Sequence, residues 1–125
     1  MPSQAETEAT YTLYRRGIEL LEDGDFVDAT EPLAEAARRA PEKSSVREAL
    51  GRAYYRAGRF AQAAVEFEAV VESHHVDDYA HFCLGRALSK TGDLDRARHH
   101  LALASNLRPD RSDYRFYRRL LDASA

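Results

Sequence analysis

Apolar residues recur at intervals of three and four along nearly the whole chain, in runs separated by short breaks that hold glycine, aspartate or proline. Apolar positions with this spacing share one side of an α-helix, so each run predicts one amphipathic helix. Residues 1–7 lack the spacing, and we expect a short disordered tail there. The runs predict helices at about 8–23, 26–40, 45–57, 60–73, 78–91 and 94–106, and a seventh at 113–123.

The same pattern returns every 34 residues. A unit of this length holds two antiparallel helices and their turns, and it buries its apolar face only against a neighbouring unit. The chain is therefore predicted to be a repeat protein whose function lies on a surface. Five rows of residues return in step: Gly17, Gly51 and Gly85; Gly24, Gly58 and Gly92; Ala29, Ala63 and Ala97; Phe26, Phe60 and Leu94; and Leu33, Phe67 and Leu101.

The two glycine rows are predicted to have different roles. The first row lies in mid-helix, where glycine costs about 1 kcal/mol relative to alanine, so we expect that another helix backbone passes too close for a side chain. The second row falls where the apolar spacing breaks, as at a left-handed helix end. Asp25 and Asp93 follow two of these turn glycines and are predicted to cap the next helices. Ser45 with Glu48 suggests a capping box.

The middle copy carries a fuller repeat signature than the others. Its residues are Leu50-Gly51, Tyr54, Gly58, Phe60, Ala63 and Phe67. With this signature, and with Pro41 and Pro109 closing the first and third copies, the chain resembles the tetratricopeptide repeat family over about residues 10–111. The resemblance implies an all-α, right-handed superhelical solenoid of three helix-turn-helix units, at about 10–43, 44–77 and 78–111. An amphipathic segment at 112–125 is expected to cap the last unit.

The resemblance also implies that the first helix of each unit lines a concave surface that receives a partner. Helical spacing places ten candidate residues there: Tyr11, Tyr14 and Ile18 from copy one; Arg52, Tyr55 and Arg56 from copy two; and Tyr79, Phe82, Arg86 and Lys90 from copy three. This aromatic and basic set suits a protein segment with carboxylates and an apolar anchor. The alternative is that the tyrosines pack between repeats and the arginines pair with Glu22 and Glu48.

One subfamily of these repeats holds the C-terminal carboxylate of heat-shock chaperones with lysine, asparagine and arginine at five positions. The corresponding residues in this chain are Tyr14, Ile18, Ala49, Tyr79 and Cys83, and none matches. A clamp of that kind is therefore not expected, although Arg52 and Arg86 could hold acidic side chains in another way.

Charge is distributed unevenly along the chain. Residues 1–43 hold ten acidic against five basic residues, residues 44–80 hold six against four, and residues 81–125 hold five against nine, within a net charge of −3. This polarity favours either an acidic partner or head-to-tail self-assembly in which another copy covers the groove.

A further alternative is that the arginine-rich C-terminal segment, with Tyr114 and Tyr117, binds single-stranded nucleic acid. The net negative charge argues against that alternative.

Composition bears on compartment and chemistry. The length of 125 residues and 44% hydrophobic content predict one domain without a membrane span or signal peptide, and the lone Cys83 fits the cytoplasm. Arginine greatly outnumbers lysine, which suggests a bacterial source. We find no phosphate-binding loop, nucleophile elbow or cysteine metal motif, so we expect neither an enzyme nor a cofactor. His74-His75 with Asp77-Asp78 is the best metal-like cluster, and whether it binds a metal stays open.

Overall fold

The computed structural model describes residues 1–123, and this part of the chain is all helical. Residues 124–125, which we assigned to the capping helix, lie outside the described residues. The helices are α1 (Gln4–Glu22), α2 (Phe26–Arg39), α3 (Ser44–Arg56), α4 (Phe60–Ser73), α5 (Asp78–Thr91), α6 (Leu94–Leu107) and α7 (Ser112–Ala123). No helix in this described range is both long and apolar enough to cross a membrane.

The expected disordered tail at 1–7 is wrong over most of its length. Helix α1 begins at Gln4, and the Ser3 hydroxyl oxygen accepts a hydrogen bond from the Glu6 backbone N–H at 3.2 Å. This serine cap satisfies one of the free amides of the first turn and extends the helix beyond its apolar run. The ends of the other six helices agree with prediction within one residue.

The helices stack as three antiparallel pairs, α1 with α2, α3 with α4 and α5 with α6, and α7 packs on α6. The first helices of neighbouring repeats also contact one another, α1 with α3 and α3 with α5, whereas the second helices make no comparable mutual contact in residues 1–123. Closer approach on one side curves the stack, so α1, α3 and α5 line the concave face. The structure confirms the all-α solenoid of three units with a capping helix.

The mid-helix glycines are packing glycines, but their neighbour differs from the one that we expected. A Cβ on Gly51 would lie 2.8 Å from Cζ of Phe67, and one on Gly17 would lie 2.3 Å from Cγ of Leu33. The space is therefore filled mainly by a large side chain of the second helix in the same repeat rather than by another backbone. The glycine row and the large apolar row are two halves of one contact.

The second glycine row confirms the turn prediction, because Gly24, Gly58 and Gly92 all have φ between +80° and +89°.

Of the predicted helix caps, the structure confirms only that of Asp93. Asp93 accepts from the Arg96 N–H, but Asp25 makes no side-chain cap hydrogen bond among the described residues. The predicted capping box of Ser45 and Glu48 is wrong, since α3 begins at Ser44 and its N-cap position is Lys43.

Helix α7 closes the C-terminal end of the stack through one buried aromatic residue. Tyr114 is 0% exposed, its ring stacks on Phe82 with centroids 4.5 Å apart, and its hydroxyl donates to Oδ2 of Asp78 at 2.7 Å. The cap is thus fixed to α5 as well as to α6. This attachment brings α7 close to the concave face.

Candidate functional site

A cavity of about 230 Å³ opens on the concave face between α3 and α5, and we call it the central cavity. Its walls combine aromatic rings with guanidinium groups. Six of the ten predicted groove residues line it, which shows that helical spacing brings them together. The lining residues are Leu21, Phe26, Arg52, Tyr55, Arg56, Phe67, Tyr79, Phe82, Cys83 and Arg86.

The other four predicted residues lie elsewhere. Tyr11 and Tyr14 line a separate groove of about 500 Å³ at the N-terminal end, between α1 and the turn that leads into α3. Ile18 shares only a shallow cleft along α1 with Tyr14. The ammonium group of Lys90 lies 5.8 Å from the centre of the Phe60 ring and does not line the central cavity. The predicted site is therefore divided, with its charge concentrated in the central cavity.

Sequence reasoning missed several residues of this site. Cys83 falls on the same helical stripe as Tyr79 and Arg86, so spacing alone could have included it. Phe26 belongs to one of the five repeat rows but was not among the predicted groove residues. Tyr117 comes from α7, and its position against Arg86 depends on how the cap packs, for which the sequence carries no local signal.

The three arginines of the cavity carry charge that is not neutralised by an ion pair. None of Arg52, Arg56 and Arg86 makes a salt bridge within residues 1–123, so the pairing with Glu22 or Glu48 that we considered does not form there. Arginines on the second helices behave differently, since Arg96 pairs with Glu68 at 2.8 Å. The concave face thus keeps its positive charge available.

Aromatic rings hold two of these arginines in place. The guanidinium carbon of Arg86 lies 4.4 Å from the ring centre of Tyr117, 5.1 Å from that of Tyr55 and 5.7 Å from that of Phe82. The guanidinium of Arg56 lies 4.2 Å from the centre of the Phe26 ring. Stacking uses the face of a guanidinium group and leaves its N–H edges for acceptors. Such a group keeps its N–H edges available to a carboxylate.

The thiol and phenol groups that line the cavity are neutral near pH 7. Burial raises the pKa of the Cys83 thiol to about 12, and burial also raises the pKa values of Tyr55 and Tyr79. Glu48 lies nearby, and burial together with the charge of Asp77 raises the pKa of its carboxyl group against the opposing effect of Arg52. The lining of the central cavity is therefore cationic through its arginines.

Tyr55 has an unusual polar group. Its hydroxyl is buried and has no hydrogen-bond partner among the described residues. Buried polar atoms in proteins almost always find a partner, so an unpaired one calls for an explanation. The guanidinium carbon of Arg86 lies 5.1 Å from the centre of the Tyr55 ring.

The histidine and aspartate cluster is distributed among separate structural roles. Nδ1 of His74 lies 3.1 Å from the Ser44 hydroxyl, Asp77 caps α5 by accepting from the Ala80 N–H, and Asp78 accepts from Tyr114. Within residues 1–123 no three histidine, cysteine, aspartate or glutamate side chains converge as a metal would require.

Most of the C-terminal arginines and tyrosines make contacts within the described chain. Arg108 and Arg111 each pair with an aspartate two residues later, at 2.9 Å and 2.8 Å. Tyr114 is buried and Tyr117 lies against Arg86. The residues that we considered for single-stranded nucleic acid are thus mostly committed to internal contacts.

These observations define an α-solenoid built from helix-turn-helix repeats with a cationic concave face. A family model described as tetratricopeptide repeat matches residues 20–83, about half of the chain, and the protein belongs to this family. Among curated protein sequences the comparison found no match.

Solved structures of low sequence identity share the fold. The first TPR of Spaghetti (RPAP3), bound to the HSP90 peptide SRMEEVD, is 17% identical with a TM-score of 0.86, and the match covers 94% of this chain and 93% of that one. MamA from Desulfovibrio magneticus RS-1 is 22% identical with a TM-score of 0.88, over 92% of this chain and 65% of that one. The C-terminal TPR-containing domain of a Plasmodium falciparum FK506-binding protein is 18% identical with a TM-score of 0.87. This match covers 95% of this chain and 89% of that one.

Proposed function

We propose that this protein is an interaction module whose concave face binds an acidic segment of a protein partner. The observation that carries the proposal is the set of three cavity arginines without an ion pair in the described chain, placed among aromatic rings. Membership of the tetratricopeptide repeat family supports the general class of function. The peptide bound to the Spaghetti repeat supports a segment as the ligand, although the five clamp positions differ in this chain.

The energetics favour an acidic segment over a basic or neutral one. A hydrogen bond to a charged group contributes roughly 1.5–3 kcal/mol. No ion pair of the three cavity arginines within residues 1–123 would have to break first. Tyr79 is 36% exposed and Phe82 lies beside it, so an apolar residue of the same segment has an aromatic surface to cover. Arginine and tyrosine are the residue types that dominate binding energy at protein interfaces.

Charge reversal tests the proposal. We expect Arg52→Glu with Arg86→Glu to reduce capture of the partner from a native lysate by about tenfold or more, because like charges then face each other. The matched control is Arg59→Glu with Arg119→Glu, which makes the same change of net charge at exposed residues outside the cavity. Helicity should be unchanged in both variants.

A partner that is lost with both double variants would indicate a general charge effect and contradict a specific site. A partner that is retained by the cavity variant would reject the proposal outright. Loss with the cavity variant alone supports it.

Self-assembly is the second candidate, and a different observation favours it. Phe116 is 52% exposed on the outer face of the basic helix α7, while the opposite end of the solenoid is acidic and carries the groove lined by Tyr11 and Tyr14. These ends are complementary in charge and apolar character. Sedimentation equilibrium decides the case, because self-assembly requires oligomers that Phe116→Glu dissociates.

A further inference from the structure

We infer that the central cavity seats a single carboxylate group between Tyr55, Arg52 and Arg86. This inference rests on the proposed function and specifies which group of the partner segment enters the cavity. It also assigns to Tyr55 a role in recognition that packing alone does not explain.

The Tyr55 hydroxyl requires an acceptor that residues 1–123 do not supply. A buried hydroxyl without a partner loses its hydrogen bond to water and gains nothing in return, so it destabilises the free protein. The hydroxyl is closed to solvent in the free protein, so a ligand oxygen reaches it only as Arg86 moves aside, and such an oxygen would remove this cost. The unpaired hydroxyl therefore indicates a hydrogen-bond acceptor in the bound state.

The adjacent charge selects an anionic acceptor. Arg86 stacks against the rings of Tyr55 and Tyr117, and no acidic side chain in the described chain forms a salt bridge with it. Its N–H groups form a planar fork that matches the two oxygens of one carboxylate. Since only stacking holds Arg86, it can shift towards a ligand that enters beside the Tyr55 hydroxyl.

Arg52 completes the seat from the neighbouring helix. It lies on α3 three residues before Tyr55, which is one helical turn, and both side chains line the cavity. The side chain of Arg52 is exposed and makes no salt bridge within residues 1–123, so its guanidinium is available at the cavity wall. A carboxylate in the cavity is thus approached by guanidinium groups from α3 and α5 and by the phenol of Tyr55.

The size of the cavity favours one side chain or chain end. At about 230 Å³ it is smaller than the 300–1,000 Å³ that is common for cofactors and drug-sized ligands. The walls formed by Phe26, Phe67 and Phe82 favour an apolar group near the carboxylate. An acidic residue next to an aromatic or aliphatic one meets both requirements.

Small carboxylate ligands test whether the central cavity binds a carboxylate, without knowledge of the partner. We would titrate the full chain with 3-phenylpropanoate and with 3-phenylpropanamide, its uncharged analogue of nearly equal shape, and follow backbone amide shifts by NMR. Wild type is expected to bind the acid, with shifts centred on Tyr55 and Arg86, and to bind the amide about tenfold more weakly.

Tyr55→Phe provides the variant that separates recognition from folding. We expect it to weaken binding of the acid about tenfold while its melting temperature stays equal to that of wild type or rises, because an unpaired buried hydroxyl has been removed. The matched control is Tyr54→Phe, the adjacent half-buried tyrosine that packs against both core clusters. Its affinity for the acid should equal that of wild type.

Three results would overturn the inference: no binding of the acid by wild type, equal binding of acid and amide, or unchanged binding of the acid by Tyr55→Phe. If one of them occurs while Arg52→Glu with Arg86→Glu still abolishes partner capture, the proposed function stands and the carboxylate is held elsewhere on the face. If the probe binds as expected but capture is unaffected, the seat exists and the partner uses another surface.

Discussion

At the scale of single residues, the contact between Gly51 and Phe67 illustrates how each repeat is held together. The aromatic ring occupies the space in which a Cβ would stand, and both residues are buried. Gly17 with Leu33 and Gly85 with Leu101 repeat this arrangement with a smaller side chain. The helix propensity lost at each glycine is the cost of seating a large apolar group against the first helix.

Gly51→Ala is therefore expected to destabilise the protein, although alanine is the better helix former by about 1 kcal/mol. The added Cβ would lie 2.8 Å from the Phe67 ring, and overpacking of this kind costs about 1–3 kcal/mol in a core. We expect a net loss of about 1 kcal/mol in the free energy of unfolding, measured by urea titration. Ser45→Ala on the exposed side of the same helix is the control, and a variant as stable as wild type would contradict the packing account.

A buried histidine pair predicts how stability depends on pH. Nδ1 of His81 lies 3.0 Å from Nδ1 of His100, and Nε2 of His81 lies 2.8 Å from the His75 carbonyl oxygen, to which it donates. Burial, followed by His81, His99 and Arg96, lowers the pKa of His100 to about 4. The folded protein then binds fewer protons than the unfolded chain between about pH 6.5 and pH 4, so stability falls as the pH is lowered through this range.

The expected loss from this pair is on the order of 2 kcal/mol between pH 7 and pH 4.5. Urea unfolding of wild type and His100→Gln across this range measures it. The variant should show a shallower dependence on pH. Equal slopes for the two proteins would show that protonation of His100 does not limit stability in acid.

At the scale of helices, α7 is more than a cover for the last repeat. It supplies Tyr114 to the core and Tyr117 to the rings around Arg86. The cap thus joins the end of the solenoid to the concave face. A solenoid terminus must be closed in some way, and here the closing element also shapes the site.

Tyr114→Phe tests the attachment of this cap. The change removes the hydrogen bond from a fully buried hydroxyl to Asp78 and is expected to cost about 1–2 kcal/mol, seen as a lower melting temperature. Tyr11→Phe at an exposed position serves as the control and should melt like wild type. If Tyr114→Phe melts at the wild-type temperature, the hydrogen bond contributes nothing to the docking of α7.

Most of the fold could be predicted because its signals are local and repeated. Apolar spacing, turn glycines and one period define the helices within a residue or two, and spacing on α3 and α5 brought Tyr55, Tyr79 and Arg86 together. What could not be predicted depends on tertiary placement. The position of Tyr117 depends on how α7 packs. The absence of a salt bridge at Arg86 within residues 1–123 depends on how far its guanidinium group lies from each carboxylate of the folded chain. The start of α1 was missed because Ser3 stands ahead of the apolar run.

At the scale of the whole molecule, the core divides into two clusters that meet at α3 and α4. The N-terminal cluster includes Leu33, Val46 and Leu50, whereas the C-terminal one includes Phe67, Leu84 and Tyr114. Tyr54 packs against both. In a solenoid each repeat is stabilised by its neighbours, so end repeats open more easily than interior ones.

This division predicts unequal protection of the backbone. Amides of α5, which contacts α4 and α6 and is joined to α7 through Tyr114, should exchange with solvent more slowly than those of α1 at the uncovered N-terminal end. Native-state hydrogen exchange followed by NMR measures the difference. Uniform protection across the chain would contradict the account and indicate one cooperative unit.

The central claim is that a partner segment occupies the concave face, and site-specific photo-crosslinking tests it most directly. Benzoylphenylalanine would replace Tyr79 in the central cavity or, as the control, Val65 on α4, which is 64% exposed and lies outside that cavity. We predict that the probe at Tyr79 crosslinks to one partner through an acidic segment and that the probe at Val65 does not. Crosslinking from Val65 with none from Tyr79 would contradict the account and place the interaction on the opposite face.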